Sequence, residues 1–218
     1  EGFARLVAFL GSTIWGPLVS FFRQNGLAIG LGILGFVLLF KVGEAFMGKM
    51  SLIFYSEMGF SKSDIALYSK GLGWITTVAF TLLGGFFAIA SGPVRALFIA
   101  GIAMAATNIM FSFLAWTGKS EWLFAVSVLL DDIAAAFATV AFVTFISLLV
   151  DRTYTATQYA LLASIGTIGR TTLAASSGAL VDGLGGDWGL FFVITALMVL
   201  PSLALLWILR HKIQLNAP

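Results

Sequence analysis

LFAVSVLLDDIAAAFATVAFVTFISLLV, residues 123–150, decides the fold. The run is apolar for longer than the roughly 20 residues a helix needs to cross a hydrocarbon core about 30 Å thick. Two adjacent carboxylates, Asp131 and Asp132, stand about ten residues into it, near mid-depth at roughly 1.5 Å of rise per residue. An ionised carboxylate there costs at least ~2.5 kcal/mol to insert, so each needs water or a partner, and the default reading is functional. Two in succession lie about 100° apart on a helix and point to a polar path through a bundle.

The rest of the composition agrees. Hydrophobic residues make up 60% of the chain and charged ones 10%, with a mean hydropathy of +1.03; a soluble domain carries about 25% charged residues. The fold class is therefore all-α, a polytopic membrane protein. The chain has no cysteine, so it holds no disulfide or thiolate metal site. No metal site and no cofactor are expected. The one histidine, His211, lies in a basic tail with Arg210 and Lys212. A net charge of +2 with basic residues at helix ends is membrane anchoring, with no nucleic-acid patch.

Outward from the aspartate helix, six spans are expected, at about 26–48, 71–90, 96–116, 122–150, 159–181 and 188–209. Residues 1–25 read as an interfacial or linker helix because arginines flank its apolar stretch on both sides. Residues 26–210 form the bundle, and 211–218 a cytoplasmic tail. The chain begins at Glu1 and reads as a piece of something longer. Residues 49–70 read as a polar loop in which Ser61 or Ser63 caps a short helix. Pro201 is expected to kink the last span.

Further polar residues fall inside the spans. Lys41 and Glu44 are spaced (i, i+3) and can neutralise each other, or also meet a solute or proton. Asn108 is expected to join helices more than to bind ligand. Arg170, about twelve residues into a span rich in Gly, Ala, Ser and Thr, needs an anionic partner, and Asp131 or Asp132 is the natural candidate. An even number of spans puts both ends on one side. That side carries Arg5, Arg23, Arg95, Arg152, Arg210 and Lys212, against Lys49, Lys62, Lys70 and Lys119 on the other, which places both termini in the cytoplasm.

Several segments together resemble one family. PLVSFFRQNG, LLFKVGEAFMGK, GFSKSDIALYSKGLG, RALFIAGIAMAATNIMF and above all TATQYALLASIGTIGRTTLAASSGALVDGLG look like the second half of AmpG-type muropeptide permeases of the major facilitator superfamily. The resemblance implies a bacterial inner-membrane carrier that imports anhydro-muropeptides with protons, driven by the proton gradient, in cell-wall recycling. In that superfamily the first and fourth helices of each half line the cavity, here the helices of Lys41 and Glu44 and of Asp131 and Asp132. The second six-helix half is expected as a separate or missing chain, or as a second copy of this one.

Other readings are a facilitator of another solute, a non-transporting assembly module, and an intramembrane prenyltransferase. The last would use paired aspartates to hold magnesium and diphosphate, but a second DDxxD is missing. No Ser-His-Asp set, HExxH or Walker sequence appears, so an enzyme is not expected.

Overall fold

The computed structural model describes residues 15–71, 73–151, 153–213 and 215. Residues 1–14 lie outside it, so the expected interfacial helix over 1–25 is described only from its second half onward. There, helix α1 (Gly16–Asn25) begins with Pro17 in its first turn and stops at Gly26, whose φ of 79° suits a residue without a Cβ. Helix α2 (Leu27–Leu39) follows at once.

Among the described residues, five helical stretches are long and apolar enough to cross a membrane: Leu27–Glu57, Lys62–Ser91, Pro93–Thr117, Glu121–Leu149 and Trp188–Leu209. The first is interrupted. Helix α2 ends at Leu39 and α3 (Val42–Glu57) restarts after Lys41, which has φ −105° and ψ 15°. Helix α3 also runs into the expected polar loop. Its Phe54 and Tyr55 are buried while Lys49, Ser56 and Glu57 are exposed. The stretch continues the helix, with Phe54 and Tyr55 turned to the core, and is not a connection.

The remainder of that expected loop is mostly helical. Ser61 caps α4 (Lys62–Ile65) in a reciprocal box: its Oγ accepts from Asp64 N–H at 3.1 Å, and Asp64 Oδ2 accepts from Ser61 N–H at 3.0 Å. A π-helical stretch, Ala66–Gly71, then leads to α5 (Gly73–Ser91). Gly92, at φ 87°, turns the chain into α6 (Pro93–Thr117), and Gly118, also at φ 87°, ends it. Ser120 caps α7 (Glu121–Leu149), the aspartate helix.

The span expected over 159–181 is two helices, α8 (Thr155–Ala174) and α9 (Ser177–Gly183), with a turn at Ala175 and Ser176. Neither is among the five, because polar residues such as Gln158 and Arg170 dilute the apolar content of α8. The final stretch is divided between α10 (Trp188–Leu197) and α11 (Leu200–Leu209). The break falls at Met198 and Val199, where the ring of Pro201 would meet the carbonyl of Leu197 in a continuous helix.

Close packing follows the small residues, as it must where lipid removes the hydrophobic drive between helices. A Cβ on Gly169 would stand 2.6 Å from Leu38 Cγ, and one on Gly166 3.3 Å from the Val37 carbonyl oxygen, so α8 lies tight against α2. Gly43 rests on the backbone carbonyl of Thr195, joining α3 to α10. The Trp116 indole covers Gly189.

The core has two apolar layers. One contains Ile33, Phe36, Phe40, Leu97, Met104, Ala134, Phe145, Val199 and Leu206. The other contains Val42, Phe46, Phe54, Phe111, Phe124, Val128, Trp188 and Phe192. Several helical stretches pass from one layer to the other, and four of them place these polar side chains near the crossing: Lys41 and Glu44, Thr107 and Asn108, Asp131 and Asp132, and Thr195.

A polar clasp holds α1 to the connection between α7 and α8. Ser20 donates to Asp151 Oδ2 at 2.8 Å, and Asp151 N–H donates to the Gln158 side chain at 2.6 Å. Buried Gln158 in turn donates to the Pro17 carbonyl at 3.0 Å.

Candidate functional site

The polar level between the two layers is the candidate site. Lys41 is buried, at 8% relative exposure, a position a lysine holds only when its charge is met. Its ammonium lies 2.9 Å from Glu44 Oε2, the (i, i+3) pair that the sequence suggests. It also donates to Thr139 Oγ1 on α7 at 2.7 Å, and Thr139 passes its own proton to the Ala135 carbonyl at 2.8 Å. The helix break at Lys41 is thus tied to the aspartate helix.

Asp131 and Asp132 face different neighbours, as 100° of separation requires. Asp131 turns to α6, where Thr107 Oγ1 lies 2.9 Å from its Oδ1 and 3.0 Å from the Met104 carbonyl oxygen. Asp131 is within electrostatic reach of Lys41, Glu44 and Asp132, and Tyr55 is within reach of both aspartates. Asp132 turns to α5. Its Oδ2 is shielded from solvent without a hydrogen-bond partner and sits where a Cβ on Gly73 would be 2.5 Å away.

Arg170 does not pair with either aspartate. Among the described residues the one ion pair is Lys41 with Glu44. Arg170 and Lys41 instead line the same cavity, about 180 Å³, between α2, α7 and α8, together with Thr139, Tyr159 and Thr167. The aspartates instead meet α6 and α5, Asp131 through Thr107 and Asp132 against Gly73, and the expected pair does not form.

Asn108 is buried at 3% and donates to Thr195 Oγ1 at 3.1 Å, joining α6 to α10. It does not line the cavity that Lys41 and Arg170 share. A second, apolar cavity of about 520 Å³ lies between α5, α6 and α7, walled by Leu83, Phe87, Met110 and Phe137, with Thr107 at its edge. Among the described residues no cluster of three His, Asp or Glu side chains is placed to hold a metal ion.

Thr107 and Thr139 are the site residues that sequence reading passes over. Thr107 had a signal in its neighbour Asn108, another polar residue in the same apolar run. Thr139 had none, because threonine is ordinary in a membrane helix.

These features define an integral membrane protein, an α-helical bundle with a charged level in its interior. In sequence, the chain is similar to AmpG-type transporters over nearly its whole length, in agreement with the motifs quoted above. It is 33% identical to "Putative transporter AmpG 4" of Rickettsia conorii, over 93% of this chain and 48% of that protein. It is 28% identical to "Anhydromuropeptide permease" of Escherichia coli K12, over 94% of this chain and 41% of the other. A protein of Haemophilus influenzae is 31% identical over 93% of this chain and 49% of its own length. The chain spans about half the length of the curated relatives it matches. No family model matches it.

Proposed function

We propose that the chain is one half of a proton-coupled permease that imports anhydro-muropeptides across the bacterial inner membrane, with both termini cytoplasmic. The observation that carries the reading is the cavity that Lys41 and Arg170 share. Two cations and, among the described residues, no carboxylate line it, so it presents positive charge to a solute carboxylate, with Glu44 and Asp131 near Lys41 outside the cavity wall. Its volume of about 180 Å³ is below the roughly 300–1,000 Å³ of ordinary ligand pockets. It takes one acidic arm of the solute, and the sugars lie outside it, against a second bundle.

Asp131 is the proton carrier in this reading. Thr107 has one hydroxyl proton and two acceptors, the Met104 carbonyl and Asp131. When Asp131 is ionised, Thr107 donates to it. When Asp131 is protonated, it donates to Thr107, and Thr107 donates to Met104. Both states are satisfied without moving a helix.

The second bundle, a further six-helix unit or another copy of this chain, covers exposed apolar surface. On α5, Trp74, Val78, Leu82 and Phe86 are each more than half exposed. Alternating access is then rocking of one bundle on the other.

Uptake of a labelled anhydro-muropeptide into proteoliposomes tests the reading, with an imposed proton gradient and the assembly as purified from membranes. Uptake that follows the gradient, falls at least tenfold in Lys41→Met and loses its proton coupling in Asp131→Asn is expected. Gradient-independent uptake would end the symport reading. No uptake of muropeptide by an assembly that moves another solute would leave a facilitator of different cargo.

A further inference from the structure

At the membrane face where α6 begins and α11 ends lies an open cavity of about 720 Å³, away from the charged level and independent of the function proposed above. Arg95, Arg210 and His211 line it, and no acidic residue does. Arg210 stacks on the Trp207 ring, 3.1 Å from its centroid, and its Nε–H donates to His211 Nε2 at 2.9 Å. With Nε2 accepting, the imidazole keeps Nδ1–H as a further donor. Arg210 Nη1 is shielded from solvent and has no hydrogen-bond partner, and among the described residues neither arginine has an ion pair. The cationic groups are therefore gathered at one place without a counter-charge among the described residues.

The other walls are apolar. Phe98 meets Trp207 edge to face at 5.8 Å, and Ile99 and Trp207 are 42% and 58% exposed. The occupant must bring negative charge at one end and hydrocarbon along the other. We infer that this cavity binds an anionic phospholipid, its phosphate held between Arg95 and Arg210 and an acyl chain along Phe98, Ile99 and Trp207. A zwitterionic headgroup fits less well, because its ammonium would find no carboxylate in the cavity. Basic pockets at the ends of membrane helices take such headgroups by this balance of charge and apolar contact.

Native mass spectrometry of the intact polypeptide, delipidated and titrated with phosphatidylglycerol or phosphatidylcholine, tests the assignment. Preferential retention of phosphatidylglycerol is expected, weakened on the order of fivefold by Arg95→Gln and again by Arg210→Gln, the ordinary contribution of one basic side chain at an anionic surface. Arg95 is exposed, so its variant keeps the fold even if the second does not. Lys49→Gln removes an equal charge from exposed α3 and should leave the preference intact; an equal loss there would show general charge attraction and overturn the site. Equal retention of both lipids would overturn it too. So would inorganic phosphate raising the melting temperature as much as phosphatidylglycerol, which would assign the cavity to a free anion.

Discussion

Lys41 on one side of a helix break and Thr139 on another helix are joined at 2.7 Å, and the same ammonium holds Glu44 at 2.9 Å. One side chain thus stabilises both the charge of its neighbour and the position of α7.

Removing that lysine should harm stability more than removing its partners. Lys41→Met leaves Glu44 partly buried near Asp131 without its paired cation, and breaking a buried pair from one side costs about 3–5 kcal/mol, less here because Glu44 keeps some solvent contact. Thr139→Val removes one charge-assisted hydrogen bond, about 1.5–3 kcal/mol. Lys41→Met with Glu44→Gln should recover part of the loss. Melting temperatures in one detergent decide the order, and a double variant no more stable than Lys41→Met would contradict it.

Glycines 43 and 48 lie one and a half turns apart on α3 and should respond oppositely to alanine. A Cβ at Gly43 would collide with the Thr195 carbonyl, and overpacking of this kind costs about 1–3 kcal/mol. At Gly48 a Cβ meets nothing within 4 Å, so Gly48→Ala should gain up to about 1 kcal/mol of helix propensity. Similar melting temperatures for the two variants would mean that α3 and α10 are not in this contact.

Asn108→Ala tests whether this residue is packing or site. Loss of its bond to Thr195 costs about 0.6 kcal/mol, the average for a hydrogen bond between membrane helices. Transport per folded molecule should be unchanged. A loss of uptake with an unaltered melting temperature would return Asn108 to the solute path.

The clasp on α1 should open in acid. Hydrogen bonds from Thr153 N–H and then Ser20 hold the Asp151 carboxyl below the usual carboxylate range. A depressed folded pKa contributes stability that is present above the unfolded value, about 3.9, and is lost as pH falls through the lower folded value. At pH 7 Asp151→Asn should therefore raise hydrogen exchange in α1 relative to the parent, and the two should converge as pH falls below about 3.9. A difference independent of pH would assign the effect to shape alone.

Much of this was legible in the sequence because the signals are local. The apolar run around Asp131 and Asp132, the spacing of Lys41 and Glu44, the Ser61 cap and the break near Pro201 depend on residues within a turn or two of one another. The partner of Arg170 was not legible, because it depends on which helices the carboxylates meet, and only the packing of α5 and α6 against α7 decides that. Residues 49–57 were misread as a loop since their buried face is completed by Phe124, Trp188 and Phe192, far along the chain. The small-residue composition of α8 announced close packing without naming α2 as the neighbour.

The break at Lys41 has a mechanical meaning. Helix α2 packs with α8 and α11, while α3 packs with α10 and also with α8. A continuous rod would have to bend to let the layers turn relative to each other, straining many backbone hydrogen bonds at once. Here this one rod is already cut, and across the cut the Lys41 ammonium holds both Glu44 and Thr139, while α6 and α7 pass unbroken between the layers. In the reading proposed above, a solute carboxylate arriving there would act on the cut itself.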